Sequence, residues 1–482
     1  MDSEFFDVLI VGAGLSGIGA ACHLQRRCPG KRFAILEARA TLGGTWDLFR
    51  YPGIRADSDM YTLAYSFRPW TGERAITDGA TMLAYLRETA QEHDVERHIR
   101  FGCRMESAAW SSTSAQWRVS VVREGGERAT LRCNFLLVCS GYYDYARPYL
   151  PDFPGRERFA GRLVHPQQWS DDIAVKGQRI VVIGSGATAV SLIPELTRSA
   201  AQVTMLQRSP TYMVARPSID PLAAILRRHL PSRLASALTR WKNVLLGMYV
   251  FRVCRTKPQK ARAVMIDLVS KQLDPGFDVG RHFSPRYGPW EQRLCLVPDG
   301  DLFKAIRAGS VNVVTDQIET FTETGIRLKS GAELPADLVV AATGLTLNSM
   351  GGATMEVDGQ RIDAAQLVSY KGLMFGGVPN FAQVFGYTNA SWTLKADLAS
   401  SFVCRVLEHM GRAGVRSCTP QLNEAGMALQ PWVDFSSGYF QRALAQLPKQ
   451  GTKAPWKLNQ NYLVDVMALR FGAVDDGVLR FS

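Results

Sequence analysis

Apolar residues first gather at Phe6–Val11 (FDVLIV), a short run of the kind expected of a buried parallel strand. Glycines at 12, 14 and 17 follow at once. The pattern then changes: Ile18–Arg27 predicts a helix and Arg32–Glu37 (RFAILE) a second strand, which together make a βαβ unit. The same order returns about 170 residues later. Arg179–Ile183 (RIVVI) predicts a strand, Gly184-Ser185-Gly186-Ala187-Thr188-Ala189 a turn, Val190–Thr197 the start of a helix and Gln202–Leu206 (QVTML) the next strand. From Pro221 to Leu273 long, basic, amphipathic stretches predict a helical insertion in the second unit. Asp337–Ala342 (DLVVAA) predicts another buried strand, ending in Thr343-Gly344. The tail from about Thr346 is mixed in pattern and rich in aromatic residues, and predicts no third independent domain. Two charge-free runs, Leu338–Met355 and Gly372–Leu394, are broken by Gly, Asn and Pro, so they read as buried strands and turns rather than membrane spans.

The spacing of the first turn, Gly12, Gly14 and Gly17, carries chemistry. The first glycine permits the tight turn, the second lets the backbone approach a pyrophosphate, and the third lets helix and strand pack closely. Glu37 ends the next strand, where it could accept hydrogen bonds from a ribose. The alternative is a structural glycine turn. In the second unit, Gly184, Gly186 and Ala189 take these places, but the following strand ends in Gln207-Arg208-Ser209. A carboxylate there would repel a 2′-phosphate, whereas a guanidinium and a hydroxyl would hold it, so the second site is expected to prefer NADPH over NADH. The alternative is an ordinary surface arginine. Two such sites in one chain suggest electron transfer between dinucleotides, with FAD at the acid-type site and NADPH reducing it. The electrons would then pass to a disulfide, a quinone or O2.

The nine cysteines are irregularly spaced with no CxxC pair, which removes the disulfide option and argues for reduced thiols and a cytoplasmic location. The acidic N-terminus lacks the basic region of a signal peptide. The chain of 482 residues suggests two to four domains, and its 46% apolar and 21% charged content excludes disordered, collagen-like and disulfide-scaffold classes. The net charge of +12 is concentrated between Met205 and Arg262, where Asp220 is the lone acid. This basic stretch, with Trp241–Phe251 in it, is either a peripheral membrane contact or a helical lid packed on the protein. No nucleic-acid fold signature is present.

Gly43-Gly44-Thr45-Trp46-Asp47-Leu-Phe-Arg50-Tyr51-Pro52-Gly53-Ile-Arg55-Ala-Asp57 resembles the GGxWxxxRYPGxxxD signature of Baeyer–Villiger monooxygenases. Phe159-Ala-Gly161-Arg-Leu-Val-His165-Pro-Gln-Gln-Trp169 resembles their FxGxxxHxxxW fingerprint. The Ala342-Thr343-Gly344 strand end is similar to that of related flavin monooxygenases, and Tyr387–Trp392 and Asp434–Tyr439 resemble the mycobacterial ethionamide-activating subgroup of the family. Two positions depart from the pattern: Ser170 follows Trp169, and Gln292 stands where many members have Lys, which leaves Arg208 more of the NADPH phosphate to hold.

The resemblance implies an α/β fold with two Rossmann-like dinucleotide-binding domains. FAD would sit in a discontinuous domain, 1–155 and 336–482, and NADPH in 156–335, with the helical insertion at 211–290. It implies an NADPH- and O2-dependent conversion of lipophilic ketones to esters or lactones through a flavin C4a-peroxide, with sulfides also oxidised. By similarity Arg293 is the cation that stabilises the peroxide and Asp57 the carboxylate that orients it. Ser16, Gly44, Thr45, Trp46, Asp47, Arg55, Asp57 and Met105 join Gly12, Gly14, Gly17 and Glu37 as FAD-site residues. Ser185, Ala187, Thr188 and Ser209 join Gly184, Gly186, Ala189 and Arg208 on the NADPH side. His165 is expected to act as a hinge or hydrogen-bonding residue, and Trp392 to wall the pocket or fill the core. No metal site is assigned. The rivals are a sulfur- or nitrogen-oxidising flavin monooxygenase, an NADPH oxidase, and a basic membrane-adhering protein with a vestigial nucleotide fold.

Overall fold

The computed structural model describes residues 4–423 and 426–482; Met1–Ser3, part of the acidic N-terminus, lie outside them. Strand Glu4–Val11 sits at the centre of a nine-stranded sheet, pairing in parallel with Phe33–Leu36 on one side and Arg128–Val138 on the other. Its side chains alternate as a strand requires: Val8 and Ile10 enter one core with helix Leu15–Arg27, while Leu9 and Val11 enter another with Trp117 and Phe381. The latter half of Arg128–Val138 also pairs in parallel with Phe381–Gln383, far along the chain. Helix Leu15–Arg27 packs against Trp392–Ala413, so the C-terminal segment lies against the first sheet's helical layer.

The second domain is an all-parallel sheet in the order Val311–Thr315, Gln202–Gln207, Arg179–Ile183, Leu338–Ala341, Arg162–Val164. Ile180 and Val182 face one core, Val181 and Ile183 the other. Parallel strands covered on both faces are apolar at every position, which is why RIVVI and LVVA read as continuous runs. One correction follows. The boundary expected at 335/336 falls one strand early, because Leu338–Ala341 pairs with Arg179–Ile183 and Arg162–Val164 in the second sheet.

The insertion forms helices Pro221–His229, Ser232–Thr256 and Pro258–Ser270, with a short strand, Met213–Arg216, pairing with Cys295–Pro298 before and after them. The side chain of Asp220 caps the first helix, accepting from the N–H groups of Leu222 and Ala223 at 3.1 Å. The long helix is fastened to the first domain. Arg240 donates to the carbonyls of Tyr61 and Ala64 at 3.1 and 2.7 Å, and Asn243 to Asp59 at 2.9 Å. Leu338–Met355 and most of Gly372–Leu394 are short strands and turns as expected, but Trp392–Leu394 open the helix Trp392–Ala413; no helix among the described residues is long and apolar enough to cross a membrane. All nine cysteines are free and buried.

Candidate active site at the domain junction

A cavity of about 1000 Å³ runs along the C-terminal ends of the first domain's strands, at the upper end of ligand-pocket volumes. Gly12 and Gly14 line it with bare backbone. Gly12 has φ +102°, and a Cβ there would meet the Cys139 carbonyl oxygen at 2.8 Å, so the turn requires glycine. Glu37 is buried at the next strand end. Its carboxylate accepts from the N–H of Ala13 at 2.8 Å and of Arg39 at 2.9 Å, and burial raises its pKa against those donors. The carboxylate therefore fixes the turn while facing the cavity.

Thr45, Trp46 and Gly44 line the middle of the cavity, and Thr45 Oγ1 lies 3.2 Å from the Tyr145 hydroxyl. Ser16 lines it and accepts from the Trp392 indole N–H at 2.8 Å; the Trp392 ring stacks on Tyr142 at 5.3 Å. Trp392 thus both fills the core and walls the cavity. Met105 lines the cavity beside Cys103 and Arg104. Gly17 does not reach the cavity and serves the packing of helix on strand. Asp47 is not among the lining residues. It is buried beneath the loop, 2.6 Å from both Arg39 Nη2 and Thr41 Oγ1, with Arg50 at 3.4 Å. Its charge is held by arginines, so its part in the site is to fasten the loop.

The second glycine turn opens toward the same cavity. Ala187 and Thr188 line it, while Gly184, Ser185, Gly186 and Ala189 stand behind. Gly184 has φ +129°, with the Ala342 carbonyl where a Cβ would go. Ser185 Oγ bonds Thr211 Oγ1 at 2.8 Å and the Ser209 carbonyl at 3.2 Å, which ties the turn to the strand end. Arg208 and Ser209 are exposed outside the cavity, and Arg208 has no ion-pair partner among the described residues. Arg55 crosses between the domains. It pairs with Asp301 and donates to the Val190 carbonyl at 3.1 Å, so it fixes the second domain's helix against the first domain.

Where this cavity meets a second, of about 1380 Å³, stand Arg293 and Asp57, which line both. Arg293 Nε lies 2.9 Å from Asp57 Oδ2, and each side chain is about a third exposed, 32% and 30%. Burial opposes the guanidinium charge, but Asp57 and the hydroxyls of Tyr142, Tyr439 and Tyr143 outweigh it and hold its pKa above the ordinary value. The terminal nitrogens have no hydrogen-bond partner among the described residues and remain available to a ligand. Trp290, three residues before Arg293, has φ +66°, a conformation rare for a bulky residue and concentrated at functional sites.

His165 joins the linkers between domains. Its Nδ1 accepts from the Gln167 N–H at 3.1 Å, which assigns the ring hydrogen to Nε2, and that group donates to the Gly344 carbonyl at 3.0 Å. Burial lowers its pKa, so it is a neutral hydrogen-bonding residue. Sequence reasoning missed Arg39, Tyr145 and Asp301. Arg39 follows Glu37 by two residues, a signal that could have been read; Tyr145 and Asp301 gain their partners only through the fold.

Two family descriptions match the chain: Flavin-binding monooxygenase-like over residues 75–374 and NAD(P)-binding Rossmann-like domain over residues 10–71. The chain is 53% identical over 481 residues to the FAD-containing monooxygenase EthA of Mycobacterium tuberculosis, covering 100% of this chain and 98% of that protein. Its fold matches an oxidized steroid monooxygenase bound to NADP, with TM-score 0.76, 23% identity and 99% of each chain covered. It also matches the cyclohexanone monooxygenase of Rhodococcus sp. Phi1 bound to NADP+, with TM-score 0.76, 19% identity and 100% of each chain covered. The bare glycine cradle, the buried Glu37 and the enclosed cavity fit FAD, and the second turn fits a nicotinamide dinucleotide. This chain belongs to the flavin-binding monooxygenase-like family of FAD-containing enzymes.

Proposed function

We propose that the protein is an NADPH- and O2-dependent Baeyer–Villiger monooxygenase that converts lipophilic ketones to esters or lactones and also oxidises sulfides. The observation that carries this reading is the Arg293–Asp57 ion pair at the meeting of the two cavities. When bound, FAD supplies the redox chemistry, accepting a hydride from NADPH and passing electrons to O2. Overall, ketone, O2, NADPH and H+ become ester, NADP+ and water.

The chain's part is electrostatic and steric. Insertion of oxygen beside a carbonyl needs an anionic oxygen nucleophile and passes through a negatively charged adduct. Arg293 offers a fixed guanidinium to that charge, with four terminal N–H groups unspent. Asp57 holds the guanidinium by its Nε edge, so the charge is oriented before the substrate arrives. Leu294, Leu296 and Val244 line the second cavity and exclude water from the reacting atoms. A purely sulfur- or nitrogen-oxidising enzyme has no need of a cation aimed at an anionic oxygen, which favours the ketone reading. The names of the fold neighbours, steroid and cyclohexanone monooxygenase, support a lipophilic carbonyl substrate.

The test uses the purified holoenzyme with NADPH, a lipophilic ketone and isotope-labelled O2. Wild type should place one labelled atom in the ester. Arg293→Ala should still allow NADPH to bleach the flavin, but ester formation should fall by about a hundredfold or more. Wild-type ester yield from that variant would refute the reading.

A further inference from the structure

Single exposed apolar side chains are normal on a protein surface, whereas contiguous ones mark a partner. Apart from Phe101, Leu422 and Leu429, every exposed large hydrophobic side chain among the described residues falls within 219–268 or 463–471. On the long helix Ser232–Thr256 they are Leu234, Leu238, Trp241, Leu245 and Tyr249, with Leu246 beside them. That three-and-four spacing makes one straight stripe, about 22 Å long at 1.5 Å per residue. The Trp241 ring lies 5.8 Å from the Tyr462 ring, which joins this stripe to the exposed Leu463, Met467 and Phe471 of the tail.

The charge around this face has one sign. Between Pro221 and Lys260 the sequence contains no acid. Arg228, Arg233, Arg252, Lys257 and Lys260 are exposed and have no ion-pair partner among the described residues. An apolar stripe with unpaired cations complements an interface that is apolar inside and anionic at its rim. A nucleic acid would require polar donors where the leucines stand. The second cavity bears on the same face: Leu245, Tyr249, Val264 and Leu268 belong to its wall and are also exposed, and its other end reaches Arg293.

We propose that this face seats on the surface of an anionic lipid bilayer. The stripe enters the headgroup–acyl boundary, the basic residues meet lipid phosphates, and the cavity takes lipophilic substrate directly from the bilayer. The docking stands on the surface alone; the delivery of substrate rests on the monooxygenase reading above.

Vesicle sedimentation of the FAD-loaded enzyme tests the docking without turnover. Phosphatidylcholine vesicles with and without phosphatidylglycerol serve as the probe, in low and high salt. The protein should pellet with the anionic vesicles at low salt and be released by salt. The double variants Leu234→Ser with Leu238→Ser, and Arg228→Glu with Arg233→Glu, should each lose roughly tenfold or more in partition. None of these four residues lines either cavity, so the flavin spectrum and the turnover of a short, water-soluble ketone should stay unchanged. Absence of pelleting with any vesicle, or equal pelleting of the variants, would overturn the proposal. So would a concentration-dependent dimer broken by the same substitutions without vesicle binding, since the face would then belong to a second copy. Any of these failures leaves the reading of Arg293 untouched.

Discussion

Gly12-Ala-Gly14 and Gly184-Ser-Gly186 end equivalent strands with the same left-handed first glycine, yet their surroundings differ. The first turn is closed over: its strand-end Glu37 is buried and bonded to the turn through Ala13, and cavity wall continues through Thr45, Trp46 and Met105. The second gives only its helix start, Ala187 and Thr188, to that cavity, and its strand-end Arg208 stands exposed with no ion-pair partner among the described residues. A group that stays bound needs a preorganised, enclosed cradle, whereas one exchanged at each turnover is met by charge at an open surface. The contrast matches a resident FAD and a visiting NADPH.

The largest effect expected from this contrast comes from exchanging the glycines. Gly12→Ala forces a Cβ against the Cys139 carbonyl at a φ of +102°, a cost on the order of 3 kcal/mol or more. That protein should purify colourless or fail to fold. Gly184→Ala brings its Cβ against the Ala342 carbonyl oxygen and carries a folding cost of the same order, but the protein that folds should keep its yellow flavin and lose about tenfold or more in the rate of NADPH reduction. Equal loss of flavin from both, read by absorbance, would erase the distinction. A smaller effect belongs to Arg208→Ala, which should raise the NADPH KM about tenfold with little change for NADH. Equal change for both cofactors in steady-state kinetics would remove the 2′-phosphate role.

The smallest effect is at the linker. Burial holds His165 below its ordinary pKa of 6.5, so the unfolded chain takes up a proton that the folded chain refuses. Stability should therefore fall as pH drops below 6.5 and level off once the folded-state pKa is passed. His165→Gln should flatten that part of the profile at a cost of about 1 kcal/mol at neutral pH. Thermal melts across this range, unchanged by the substitution, would assign the acid sensitivity elsewhere.

Both βαβ units were legible because a strand buried on both faces, a glycine turn and an amphipathic helix each leave a local pattern. Arg293 was legible only through the family resemblance, since nothing in its own local pattern sets it apart from a salt-bridge arginine; the structure brings Asp57 to 2.9 Å from it across a long stretch of chain. Partnership across the fold was not legible. DLVVAA reads as a buried strand in either sheet, so nothing local told which sheet Leu338–Ala341 would join. Asp47 was counted among cofactor residues because it lies in the signature, but Arg39 and Thr41 hold its carboxylate below the loop. Arg55 does line the cavity, but its partner Asp301 comes from the other domain and could not be read from the signature.

The burial of all nine thiols has a consequence for how such an enzyme ages. Whenever electrons reach O2 with no substrate in place, hydrogen peroxide is released beside the enzyme's own chain. Peroxide oxidises the thiolate far faster than the thiol. Burial pushes Cys22, Cys295 and Cys418 up to about 12, and Cys295 lies two residues from Arg293, where the oxidant would arise. Cys28 departs from this pattern, its pKa lowered by its contact with Cys404, and it caps the C-terminal end of helix Leu15–Arg27, at the opposite end from the cavity's glycine turn. Cys103 and Cys139, which line the cavity itself, are likewise raised by burial, so the thiols around the site are held in the protonated form that peroxide oxidises slowly.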